Sequence, residues 1–194
     1  MNDSVSAGDE IPPGHSVIEV HVGELEQLFN HIDPSPFHDR DLDRSTEEFI
    51  VDWSRDFPGD APLGLVVHLD RPVELPRQAS VLGNAIHQYF AARARTTRRR
   101  LRELLRRGRT SLIIGLAFLG AAVGASELIE DWLDPGGVLN VVRESLLIGG
   151  WVAMWRPIEV FLYDWWPIRA EARLYDRLAA MLVRIDASGA KRAS

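Results

Sequence analysis

Apolar residues fill residues 111–129 (SLIIGLAFLGAAVGASELI) almost without a break, and Glu127 is the single charge among them. At about 1.5 Å of rise per residue, a helix of this length just spans a hydrocarbon core of about 30 Å. A second apolar stretch, residues 138–155 (VLNVVRESLLIGGWVAMW), carries Arg143 and Glu144 within its first two turns. Pro135-Gly136-Gly137 between them breaks any helix and makes a tight turn. The pattern predicts transmembrane helices over residues 110–130 and 138–156, joined by an external turn over residues 131–137.

Upstream, the periodicity changes. Residues 17–22 (VIEVHV) and 63–69 (LGLVVHL) read as strands. Leu25, Leu28, Phe29 and Ile32 recur at helical spacing, so residues 23–32 read as a helix, ended by Pro34 and Pro36. Ser45-Thr46-Glu47-Glu48 reads as a capping box opening a second helix with Phe49, Ile50, Trp53 and Phe57 inward. A long helix starts at Pro76 with Ala79, Leu82, Ile86 and Phe90 on one face, and runs on toward the first span with Gly108 as its potential hinge. The helical stretch between the two strands favours a parallel crossover over a hairpin. Two strands make a poor sheet, so a third is expected from residues 72–75, a second subunit or a partner peptide at an open edge.

Behind the second span, Pro157 bends the chain, and residues 160–167 (VFLYDWWP) suit a helix lying in the headgroup plane. Leu174, Leu178, Leu182 and Ile185 then recur at helical spacing opposite Arg173, Arg177 and Arg184, an amphipathic helix that lies on the membrane or packs on the N-terminal domain. The fold expected is a small cytoplasmic α+β domain in the order β-α-α-β-α, then a two-helix transmembrane hairpin and a C-terminal amphipathic helix, mostly α. Residues 1–16 read as a disordered leader, 17–76 as the acidic domain, 77–109 as a basic juxtamembrane helix, 157–186 as interfacial and amphipathic helices and 187–194 as a disordered tail.

Charge gives the orientation. Net charge is −6, but residues 1–76 hold four Arg and seventeen acids, whereas residues 77–109 hold ten Arg and one Glu. Arg also follows the second span, at Arg156, Arg169, Arg173 and Arg177, and the connecting turn has no basic residue. The positive-inside rule then puts both termini in the cytoplasm and the connecting turn outside, and Trp132, Trp151, Trp155, Trp165 and Trp166 fall near span ends as interfacial aromatics do. Arg98, Arg99, Arg100, Arg106, Arg107 and Arg109 are placed to meet the anionic headgroups of the lipid bilayer. The run lacks the interleaved aromatics of single-strand binding, which disfavours nucleic acid. The first residues carry Asp3, Asp9 and Glu10 and no apolar run, which excludes a signal peptide.

Within the spans, Glu127, Arg143 and Glu144 are costly in lipid. An Arg143–Glu127 pair across the hairpin would neutralise both, and a proton or ion pathway through Glu144 is the rival role, which requires oligomers. Gly120 and Gly124 form GxxxG, with Ala117, Ala121 and Ala125 at the same spacing and Gly149 and Ala153 in the second span. Such faces serve either packing within the hairpin or a homo-oligomer. At the exit, Arg156 and Glu159 pair on one helical face, beside Asp164, Trp165 and Trp166.

Candidate chemistry is sparse. No cysteine is present, which excludes disulfides, Cys-based zinc and a Cys nucleophile. The chain holds no HExxH, GxSxG, P-loop or GxGxxG. His38, Asp39, Arg40 and Asp41 are weak catalytic candidates, in a polar stretch that could hold a cation through Asp39, Asp41 and Asp43, or a His–carboxylate site through His31 and His38. It does not fit the EF-hand loop, and a structured turn, with Asp33 and Asp39 capping and Arg40 pairing locally, explains it as well. His21 and His68 point outward from the two strands and could meet. No metal or cofactor is expected.

Several phrases resemble a group of uncharacterised bacterial two-span inner-membrane proteins: DPSPF at 33–37 with RDLD at 40–43, ESLLIGGWVAMWRP at 144–157, and FLYDWWP at 161–167. The resemblance spans most of residues 17–185 and implies a bacterial inner membrane, with no chemistry attached. The absence of Cys and the single lysine, Lys191, among 22 basic residues are compatible with a GC-rich bacterium. The function expected is a membrane-anchored interaction or scaffold protein whose cytoplasmic domain binds a protein partner and whose hairpin oligomerises. The alternatives are a membrane-bound enzyme acting on a lipid or headgroup, and a small oligomeric transport subunit using Glu144.

Overall fold

The structure, a computed structural model, describes residues 6–30, 41–70, 75–132 and 137–187. The chain forms two compact units: Met1–Thr96 with Glu171–Ser194, and Thr97–Ala170.

The first unit is a four-stranded sheet with helices. Its strands are β1 (Ser6–Gly8), β2 (Ser16–Val22), β3 (Leu63–Leu69) and β4 (Leu182–Ala187), in the order β1-β4-β3-β2. β2 and β4 both pair parallel to β3, and β1 pairs antiparallel to β4. The parallel crossover expected from the sequence is present. Residues 72–74, expected to contribute a third strand, lie outside the described residues, and Leu75 opens the next helix. The second neighbour of β3 is β4, from the far end of the chain, in a stretch expected to be helical. Leu182 and Ile185 fit a helical period with Leu178, but Met181, Val183 and Ile185 also alternate with Leu182, Arg184 and Asp186. That second period wins because it buries Met181, Val183 and Ile185 almost completely against the helices.

The leader reading also fails at its end. Gly8 adopts φ +110°, and a Cβ there would lie 2.5 Å from the Val183 carbonyl oxygen, so only glycine lets β1 approach β4 this closely. Asp9 N–H donates to the Val183 carbonyl, and the Asp9 carboxylate accepts from Val183 N–H. Three residues with a glycine carry no readable period.

Helix α1 runs Arg44–Asp56. Its N-cap is Asp43, whose carboxylate accepts from Ser45 N–H at 2.9 Å, not the capping box at Ser45. The buried stripe is Glu47, Ile50, Val51 and Ser54, so Phe49 and Trp53, expected inward, are exposed. The helix expected over residues 23–32 shrinks to a 3-10 turn, Leu25–Leu28. Phe29 turns extended to bridge Leu42, which buries both side chains.

Helix α2 spans Leu75–Trp132 without a break at Gly108. Its Ala79, Leu82, Ile86 and Phe90 enter the core, as their spacing predicts. α4 (Trp165–Ala179) adds Leu178, and Arg177 clips the Pro58 and Ala61 carbonyls at 2.9 and 2.8 Å.

The second unit joins the later part of α2 to α3 (Gly137–Glu159) and a π-helical turn, Val160–Asp164. Pro157 lies inside α3 and gives no N–H to the Ala153 carbonyl; the wider turn follows directly. Glycines make the close contacts. A Cβ on Gly108 would meet Val160 at 2.6 Å, one on Gly115 would lie 3.2 Å from the Ala153 carbonyl oxygen, and one on Gly150 would meet Leu119 at 2.7 Å. Gly120 and Gly124 face open space, so the GxxxG motif is not the one that packs this hairpin.

Replacing Asp43 by Ala is expected to cost α1 about 1 kcal/mol, read as faster amide hydrogen exchange across Arg44–Asp56. The Ser45 hydroxyl and N–H hold the Asp43 carboxyl below its ordinary 3.8. Its contribution is therefore present above about pH 4 and is lost as pH falls through the folded value.

Candidate functional site

α1 and α2 frame a polar cleft of about 580 Å³ in the first unit. The helical period of α1 turns Glu47 inward, where it is 8% exposed. Its carboxylate accepts from the Tyr89 hydroxyl at 2.6 Å and from Arg93 at 2.5 Å. Tyr89 and Arg93 stand one turn apart on α2, and Arg93 also donates to the Tyr89 hydroxyl at 2.9 Å and lies 5.3 Å over its ring. Burial and the Glu47 carboxylate push the Tyr89 phenol well above its ordinary 10.0, so it remains a hydrogen-bond donor at neutral pH. Hydrogen bonds to Glu47 and Tyr89 raise the Arg93 guanidinium against its own desolvation. Around the rim, Arg44 pairs with Glu48 at 3.0 Å and Arg55 with Asp52 at 3.1 Å. The cleft thus offers a recessed, rigid polar floor under paired surface charges, suited to holding a polar group. The Glu47 carboxylate at its floor is already engaged by two donors.

Asp41, one of the weak catalytic candidates, is exposed and lines this cleft beside Asn30, whose N–H donates to the Asp41 carbonyl at 2.9 Å. His38, Asp39 and Arg40 lie outside the described residues, as do His31 and Asp33. Asp43 is the helix cap described above.

On the sheet face opposite the helices, register sets His21, His68 and Asp186 side by side on β2, β3 and β4. The two imidazoles stack with centroids 4.3 Å apart, so the pair expected from the sequence does meet. Glu19 lies 3.7 Å from His68 Nε2, and Arg184 pairs with Asp186 at 3.0 Å. Among the described residues no three of these side chains converge as a metal site.

In the second unit, Arg98, Arg99, Arg100, Arg106, Arg107 and Arg109 are all exposed, and Arg107 pairs with Glu103. Arg143 donates to the Ser126 hydroxyl at 3.1 Å, one residue before the Glu127 expected as its partner. Glu127 and Glu144 are both exposed. The expected Arg156–Glu159 pair forms at 2.8 Å, and Asp164 approaches Arg156 at 3.5 Å across the π-helical turn. Trp165 donates to the Phe161 carbonyl at 2.8 Å and packs edgewise on Trp166, while Arg169 lies over its ring.

Sequence reading missed Glu47, Tyr89, Arg93 and Asp186. The Ser45–Glu48 capping-box pattern hides Glu47, and the helical period that runs through Ile185 hides Asp186. The usable signals were the Tyr89–Arg93 spacing and the period-two alternation around Arg184. Comparison with protein-family models, curated proteins and solved structures finds no match.

Replacing Glu47 by Ala removes two charge-assisted or buried hydrogen bonds and is expected to cost about 1.5–3 kcal/mol, measured by urea unfolding of the full chain in detergent. Unfolded tyrosine titrates near 10, so a raised folded value makes stability fall as pH climbs from there. Tyr89→Phe is expected to flatten that alkaline decline.

Proposed function

We propose that this chain is a membrane-anchored interaction protein: its hairpin crosses a bacterial inner membrane, and its α/β unit binds a protein partner at the cytoplasmic face. One observation carries the anchoring. Two helices, Pro76–Leu128 and Asn140–Ala179, are long and apolar enough to cross a membrane, and only 17% of each apolar window is buried. Ile113, Trp151 and Trp155 are 68%, 69% and 72% exposed, along with many other large apolar side chains of α2 and α3. A core helix of a water-soluble domain would bury that surface.

The strand pairing supports an even number of crossings. β3 precedes the hairpin in sequence and β4 follows it, yet the two are hydrogen-bonded neighbours. That pairing favours both ends of the hairpin emerging on one side, and the Arg residues flanking it favour the cytoplasm as that side. Support for a partner comes from α1, where Phe49 and Trp53 are 41% and 49% exposed and lie 5.9 Å apart. Exposed aromatics of this kind anchor protein interfaces. Support for self-association comes from Gly120 and Gly124, whose open face leaves room for a second helix.

Because the chain has no native cysteine, single substitutions report sidedness cleanly. Thr96→Cys is expected to resist, and Gly136→Cys to accept, a membrane-impermeant thiol reagent added to intact cells; the reverse pattern sinks the orientation. A photo-cross-linker at Trp53 is expected to capture a discrete partner whose yield drops at least several-fold in Phe49→Ala, with α1 hydrogen exchange unchanged. Gly120→Leu is expected to shift the detergent-solubilised protein toward monomer by native mass spectrometry.

A further inference from the structure

The end of α3 holds a feature that anchoring alone does not use. Ile114, Gly115 and Phe118 of α2 face Ala153, Arg156 and Pro157 of α3 across a mostly apolar groove of about 390 Å³. Close approach of the helices at Gly115 and Ala153 forms its floor, and Pro157, followed by the π-helical turn, lies at its end. Such turns recur at functional sites.

Arg156 borders this groove and also belongs to a charge cluster. Its Nη1 lies 2.8 Å from Glu159 and 3.5 Å from Asp164; Arg156 is exposed and the two carboxylates are partly exposed. One guanidinium beside two carboxylates leaves a net negative charge, which disfavours a purely anionic headgroup. It suits a group carrying a phosphate for Arg156 and a hydrogen-bearing ammonium for Glu159 and Asp164. The apolar groove alongside suits the upper part of an acyl chain.

Building on the membrane reading above, we infer that this groove and the Arg156–Glu159–Asp164 cluster form a binding site for one zwitterionic phospholipid with a primary ammonium headgroup, of the phosphatidylethanolamine class. The phosphate accepts from Arg156, the ammonium donates to Glu159 and Asp164, and one acyl chain lies against Ile114 and Phe118. A trimethylated headgroup has the same net charge but no N–H to donate, so choline lipids are discriminated against.

The test is native mass spectrometry of the detergent-purified full chain with equal amounts of dioleoyl phosphatidylethanolamine, dioleoyl phosphatidylcholine and dioleoyl phosphatidylglycerol. The ethanolamine lipid is expected to be retained roughly five-fold over the choline lipid, as one solvent-screened charge-assisted hydrogen bond implies, while phosphatidylglycerol also reports the exposed Arg98–Arg109 run. Asp164→Asn and Glu159→Gln together are expected to abolish the ethanolamine-over-choline preference, and Arg156→Gln to weaken retention of all three. Ala153→Phe, which fills the groove, is expected to lower total lipid retained while leaving the remaining preference intact. Equal retention of the three lipids by the unmodified chain overturns the site, as does a preference that survives the double carboxylate change. A chain that stays monomeric in buffer without detergent overturns the membrane reading instead.

Discussion

Two long helices leave many of their large apolar side chains open, and the membrane anchoring proposed above starts from that single constraint. The helical backbone satisfies its own N–H and C=O groups, so only side chains meet the surroundings. From Ile113 onward in α2, and through α3, many of those side chains are Ile, Leu, Phe, Val and Trp left open to their surroundings. Contact between the two helices is confined to a narrow seam where Gly115 and Gly150 allow close approach. Such a seam is economical in lipid, where helices associate through packing and not through expulsion of water. The bond from Arg143 to Ser126 belongs to the same seam.

The α/β unit obeys a different solvent. Its core is the expected product of burying Ile18, Leu65, Val67, Val183 and Ile185 of the sheet against Leu82, Ile86, Phe90 and Leu178 of the helices. What distinguishes it is chain order. The central strands β3 and β4 come from either side of the hairpin, so the sheet is complete only when the C-terminal segment has returned. The sheet therefore closes only after the two long apolar helices lying between its halves have been synthesised. The Glu47–Tyr89–Arg93 cluster then ties α1 to α2 across the cleft.

Long, strongly periodic segments were legible in the sequence. The two spans, the β3 boundaries, the core face of α2 and the Arg156–Glu159 pair all follow from hydrophobic period or charge spacing. The failures share a cause: two patterns fit the same residues and a distant contact chose between them. Leu178, Leu182 and Ile185 fit a helix until β3 offers strand partners, and Leu25–Phe29 fits a helix until Leu42 pairs with Phe29. α1 begins a residue before Ser45 because Asp43 competes better for its N-terminal N–H groups. Gly120-xxx-Gly124 was visible as a motif, but whether it faces the second span depends on helix phase, which only the packing at Gly115 and Gly150 fixes.

Alkaline carbonate extraction of membranes from cells making the full chain tests the central claim most directly. A polypeptide whose hairpin is solvated by hydrocarbon stays with the membrane pellet through carbonate and is released only by detergent. Recovery in the carbonate supernatant, as a species that remains soluble after neutralisation without detergent, would contradict the account at its base.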